Sequence, residues 1–254
     1  MGVAANPSDE RQPGSPAPVR LDADDAVRVQ NLTKRYGATR ALDGVSLSVP
    51  AGSIFGLVGP NGAGKTTLIK TLVGLARADE GEAHLLGYPV PHTLVQALPR
   101  VGVMLDVPGF YPRLSLRSNL RMLAEGLSPG EVDGALNTVG LLERAGSKVR
   151  TLSHGMRQRL ACAAALIRDP ALLIMDEPFN GLDPPTVRDL RQLLAERGAR
   201  GKTVFISSHQ LEELEKLCSH VAAIQRGRVV AAIALSELGG TSLEDWFFGL
   251  EGWH

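Results

Sequence analysis

The densest chemistry in the chain lies in Gly59-Pro60-Asn61-Gly62-Ala63-Gly64-Lys65-Thr66-Thr67, which satisfies the pattern G-x-x-x-x-G-K-[ST]. Glycines at this spacing let successive backbone N–H groups converge on a phosphate, and the positive end of a following helix faces the same anion. Lys65 can then reach the β- and γ-phosphates of a nucleotide, and Thr66 can place a hydroxyl on Mg²⁺. Further along, Leu172-Leu173-Ile174-Met175 runs into Asp176 and Glu177, so an apolar stretch ends in two carboxylates. Asp176 would approach Mg²⁺ through a water, and Glu177 could polarise the attacking water as a general base. Plainer readings exist: a Gly-rich turn without a ligand, and acidic residues capping a helix after a core strand. A phosphate loop and an acid for its magnesium explain each other, which favours the chemical reading.

These residues need particular elements to hold them. Ser53–Val58 is a short apolar run ending at Gly59, and Leu68, Ile69, Leu72, Val73 and Leu75 then recur at helical spacing, giving strand, Gly-rich turn and helix. Ala171–Met175 and Thr203–Ile206 are further buried strands, followed by helices over Thr186–Arg197 and Gln210–Cys218. Buried strands alternating with helices predict a parallel sheet covered on both faces, and with the phosphate loop this is an α/β P-loop NTPase. Val27–Leu32 and Ala41–Val49 alternate instead, as antiparallel strands with one buried face do. Between about residues 106 and 168 the sequence is mostly helical, with Leu116–Leu127, Glu131–Leu142 and a stretch from Ser153 to Arg168. His220–Gln225 and Arg228–Ile233, joined at Arg226-Gly227, read as a hairpin.

Composition narrows the function. The 254 residues carry 27 Lys plus Arg and 27 Asp plus Glu, a formal net charge of zero, which argues against a generally basic nucleic-acid binder. Cys162 and Cys218 stand far apart without metal-ligand spacing; they fit small buried residues in a reducing compartment rather than a disulfide or zinc site. No run approaches the roughly 18 to 20 apolar residues that span a bilayer. Residues 1–26, with Pro7, Pro13, Pro16 and Pro18 among polar residues, read as a disordered tail without the apolar stretch of a secretory signal. Residues 27–254 then form the folded domain.

Leu152-Ser153-His154-Gly155-Met156-Arg157-Gln158, just ahead of the acidic strand, resembles the signature of ABC ATPases, usually LSGGQ. Tyr36 in Lys34-Arg35-Tyr36-Gly37, Asn180-Gly181-Leu182-Asp183 and Ser207-Ser208-His209 match that family's adenine-stacking aromatic, D-loop and switch histidine, in order. The resemblance covers the chain from about Val27 onward and is nearest to the ATP-binding subunits of bacterial drug and peptide-antibiotic exporters. It implies a RecA-like mixed sheet with an antiparallel β subdomain and an α-helical signature subdomain. It also implies ATP hydrolysis by Glu177 and His209, driving a separate transmembrane permease from the cytoplasmic side of the membrane.

In the family, the signature Ser153 and Gly155 serve the ATP of a second nucleotide-binding subunit, and the D-loop Asp183 is a further nucleotide-binding candidate. With one copy of each motif per chain, a head-to-tail homodimer would hold two complete sites, though a different paired subunit stays open. The Arg-rich segment Arg113–Arg121 is either a solvated helix face or, as in family members, part of the contact with the permease. Two departures stand out: His154 and Met156 replace the usual Gly and Gln of the signature, and Asp106 occupies the position of the Q-loop glutamine, a further candidate Mg²⁺ ligand. The competing expectations are an importer cassette, a soluble ABC ATPase of translation or DNA repair, and an ATP-binding regulatory module without turnover.

Overall fold

The computed structural model describes residues 25–105 and 109–250. The tail assigned to residues 1–26 therefore falls outside it up to residue 24, and Asp106 lies outside it too. The first strand, β1 (Asp25–Tyr36), pairs antiparallel with β2 (Thr39–Pro50) and starts two residues earlier than the alternation in the sequence suggested, with Ala26 already buried. After β3 (Ile54–Val58) and α1 (Lys65–Leu72) the chain returns through β4 (Glu80–Leu85) and β5 (Tyr88–Val90) to complete a four-stranded antiparallel sheet in the order β2-β1-β4-β5. The helix stops at Leu72, earlier than the apolar spacing through Leu75 predicted, because Gly74 at φ 76° turns the chain away.

A short α2 (Leu94–Ala97) leads to β6 (Val101–Met104) and then to α3 (Leu116–Leu123), α4 (Pro129–Thr138) and α5 (His154–Leu166). These helices begin where the sequence provides caps. Ser115, Ser128 and Ser153 each accept a backbone N–H of their own first turn, and Ser128 with Glu131 forms a reciprocal capping box. Arg117 grips Asp133 with two hydrogen bonds of 2.7 and 3.0 Å, tying α3 to α4.

The chain re-enters the core as β7 (Leu172–Asp176), α6 (Pro184–Ala199), β8 (Thr203–Ser208), α7 (Leu211–Glu215), the hairpin β9 (His220–Gln225) and β10 (Arg228–Ala234), and α8 (Leu243–Phe248). The second sheet has the order β10-β9-β3-β8-β7-β6; β9, β3, β8, β7 and β6 are parallel, and β10 is an antiparallel edge. Alternate residues of β7 serve two cores. Leu172 and Ile174 pack with the antiparallel sheet and α1, while Leu173 and Met175 pack with α3, α4 and α5. Burial on both faces is why this strand reads as a continuous apolar run.

Because β3, β8 and β7 are adjacent and parallel, the segments that follow them emerge side by side at one edge of the sheet. That edge, where strands end and helices begin, is where open α/β sheets bind ligands.

Candidate nucleotide site

The loop between β3 and α1 is shaped by what surrounds it. A Cβ on Gly59 would stand 2.2 Å from the carbonyl oxygen of Ile224, so only glycine lets the loop pass this close to β9. Gly64, at φ 112°, caps α1 in a conformation other residues rarely adopt, and a Cβ there would meet the Ala41 carbonyl at 2.6 Å. No acidic residue occupies the first turn of α1, so its positive end stays available to an anion. Pro60 to Thr67 line a cleft of about 260 Å³ together with Ala41, Asp176, Glu177 and Asn180.

Lys65 is buried in this cleft; its ammonium donates to the Gly59 carbonyl at 2.6 Å and the Pro60 carbonyl at 3.3 Å. It also stands 3.1 Å from Glu177 Oε1, an ion pair without hydrogen-bond geometry. The opposite oxygen, Oε2, accepts from His209 Nδ1 at 2.9 Å and from the His209 backbone N–H at 3.3 Å. A carboxylate at that distance accepts, so Nδ1 carries the proton. Glu177 itself sits at φ 49°, unusual for a residue with a side chain, and its N–H donates to the Ser207 carbonyl at 3.0 Å and the Ser207 hydroxyl at 3.1 Å. The same hydroxyl donates to Asp176 Oδ1 at 2.5 Å. Ser207 of β8 thus fixes the Asp176 carboxylate and the Glu177 backbone.

The signature residues sit elsewhere. Ser153, His154, Gly155, Gly181 and Asp183 line a separate cleft of about 530 Å³ that shares no lining residue with the first. Ser153 and Asp183 both cap helices here, α5 and α6. Bonds from the Thr186 side chain and backbone hold the Asp183 carboxyl below the usual carboxylate range.

Residues 42–180 match the ABC transporter family. Over 216 residues, 84% of this chain and 70% of the relative, the chain is 39% identical to the bacitracin transport ATP-binding protein BcrA of Enterococcus faecalis. The chain belongs to the ABC transporter ATP-binding family. Another relative of this cassette is the Nod factor export ATP-binding protein I of Cupriavidus metallidurans, 42% identical over 81% of the cassette and 70% of the relative. Among solved structures, an ATP-binding subunit of an ABC transporter superposes with a TM-score of 0.80 at 30% identity, covering 88% of the cassette and 98% of that chain. A bacterial ABC transporter cassette solved as a dimer superposes with a TM-score of 0.75 at 25% identity, covering 82% and 98%. The cassette is therefore an ATP-binding, ATP-hydrolysing P-loop protein, of a family that dimerises and works with transmembrane permeases.

Within the cassette, the structure brings the phosphate loop, Asp176, Glu177 and His209 together. It does not bring Tyr36 into the lining of the phosphate cleft; that residue is half exposed beside the β1–β2 turn, with the Lys34 ammonium 5.3 Å from its ring centre. Ala41 and Asn180 line the cleft although sequence reading did not select them as site residues. Ala41 has no side-chain chemistry to signal its place; only the β1–β2 hairpin leaning on Gly64 reveals it. Among the described residues no helix is long and apolar enough to cross a membrane.

Proposed function

We propose that this cassette energises a separate transmembrane permease in export, with a peptide antibiotic, drug or lipid-like compound as cargo. The observation that carries the reading is the Lys65–Glu177–His209 arrangement at the mouth of a phosphate loop. The names of the relatives, for bacitracin transport and Nod factor export, support the direction and the class of cargo.

In this reading the backbone N–H groups of residues 61 to 66 and the Lys65 ammonium hold the β- and γ-phosphates of ATP. Glu177 accepts the proton of the attacking water, and His209, bonded to its far oxygen, keeps the carboxylate aimed. The oxygen donors of Thr66 and Asp176 beside the cleft suit Mg²⁺, a hard cation that would offset phosphate charge when bound. Asp106 is a further candidate for that role. Tyr36 is proposed as the adenine platform.

The separation of the two clefts supports a head-to-tail dimer, in which Ser153, Gly155 and Asp183 of one copy close over the nucleotide of the other. The exposed side chains of Tyr111, Leu114, Met122 and Leu123, beside Arg113 and Arg121, suit the permease contact and would place the cassette on the cytoplasmic side of the membrane. Deleting the gene from its host and restoring it with wild type or Glu177→Gln tests the reading. Sensitisation to a bacitracin-type peptide, relieved by wild type alone, is the expected result. A deletion strain that instead loses uptake of a nutrient would make this an importer.

A further inference from the structure

Residue 154 is the first residue of α5, and its side chain crosses to the loop between β7 and α6. His154 Nε2 lies 3.2 Å from the carbonyl oxygen of Asn180. A carbonyl only accepts, so Nε2 carries the proton of that bond. The ring rests against Gly181: a Cβ there would come within 2.8 Å of His154 Cδ2 and Nε2, so the contact requires glycine at 181.

Asn180 reaches Glu177 by two routes. Its N–H donates to the Glu177 carbonyl at 3.2 Å. Its Oδ1 accepts from Gln210 Nε2 at 3.4 Å, and Gln210 follows His209, which holds Glu177 Oε2. Five residues along the same helix, Arg159 donates to Thr186 Oγ1 at 2.8 Å and stands 3.5 Å from Asp189, so α5 also grips the start of α6. The stretch from Asn180 into the start of α6 is therefore held at two points by the helix that the signature begins. The usual signature glycine at 154 could make neither the bond to Asn180 nor the contact with Gly181.

We propose that His154 is a positioning residue for Glu177. Through Asn180 it makes the aim of the base in this copy's ATP site depend on where this copy's signature helix sits. Resting on the head-to-tail reading above, that helix position is set by the nucleotide of the second copy, so His154 couples the two sites of the dimer.

The test uses the isolated full chain, with ATPase rates across ATP concentrations, binding of a fluorescent ATP analogue and thermal midpoints for each variant. A lost hydrogen bond predicts that His154→Ala lowers kcat roughly three- to tenfold, with nucleotide affinity and thermal midpoint unchanged. His154→Gln, which keeps an N–H donor, restores kcat to within about twofold of wild type. The Hill coefficient falls from above about 1.5 in wild type to near 1 in His154→Ala. Gln210→Ala also lowers kcat, and the double variant His154→Ala/Gln210→Ala is no slower than the slower single variant, because both act through Asn180.

A His154→Ala enzyme with wild-type kcat, a His154→Gln enzyme no faster than His154→Ala, an unchanged Hill coefficient, or losses that multiply in the double variant would each overturn the proposal. Multiplying losses would assign His154 to a direct contact with the other copy's phosphate. Failure of the underlying reading has its own signature: wild type that stays monomeric by light scattering with Mg-ATP while turning ATP over at a rate first order in protein.

Discussion

The Lys65 ammonium stands 3.1 Å from a carboxylate oxygen of Glu177, with 6% and 10% of the two side chains exposed. The residue that would hold phosphate and the residue that would activate water are thus paired with each other. Two phosphates carry more negative charge than one carboxylate, so under the proposed function bound ATP would compete successfully for the ammonium. Glu177 would then keep its bond to His209 and present Oε1 to water. One shared cation would thereby link binding to readiness for hydrolysis.

Lys65→Ala is expected to abolish measurable ATP binding. Losing charge-assisted contacts to both phosphates corresponds to at least about a hundredfold in affinity. Isothermal titration with Mg-ATP checks it, and undiminished affinity in the variant would remove the phosphate loop from the account.

Gly59→Ala should weaken the fold more than a surface change does, because the new methyl meets the Ile224 carbonyl at 2.2 Å where β3 adjoins β9. Crowding of this kind costs about 1 to 3 kcal/mol, measurable by urea unfolding. A variant as stable as wild type would mean that the loop has room to shift.

Burial pushes the Cys162 thiol from 9.0 up to about 12, and Cys218 higher still. The folded chain keeps both thiols protonated at a pH where the unfolded chain has lost the protons. Their contribution is therefore complete below pH 9.0 and declines as pH rises toward 12. Unfolding free energy should fall above pH 9 by up to about 1.4 kcal/mol per pH unit for each thiol. The fall should be shallower in Cys162→Ala. Equal slopes in wild type and variant, or thiols that react with Ellman's reagent as fast folded as in urea, would contradict their burial.

Much of the candidate site was legible because its residues are adjacent in sequence and chemically distinctive. Gly59 to Thr67 and Asp176-Glu177 point directly to the proposed phosphate and metal chemistry, and the apolar runs before them mark fully buried strands. The hairpin at Arg226-Gly227 likewise follows from turn chemistry. β4 escaped notice because Glu80-Gly81-Glu82 is polar and exposed, and its pairing with β1 is long-range. β6 has four residues, too few for periodicity, and joins the sheet through β7 far along the chain. The bond from His154 to Asn180 was invisible for a similar reason: 26 residues separate the partners, and the acceptor is a backbone carbonyl.

The cassette should sediment with membranes only when its permease is produced alongside it, since none of its described helices can span the bilayer. Fractionation of cells making the cassette alone or with its permease decides this, and membrane association of the cassette alone would contradict the proposed location.

The most direct measurement is phosphate release by purified wild type and Glu177→Gln, with ATP binding and size-exclusion profiles recorded in parallel. The glutamine keeps the shape and its neighbours but cannot take a proton, so turnover should fall on the order of a hundredfold or more while ATP binding persists. The variant should also accumulate with Mg-ATP as a dimer, because closure no longer leads to hydrolysis. A variant that releases phosphate at near the wild-type rate would contradict the account, and the base would have to be sought elsewhere, first at His209.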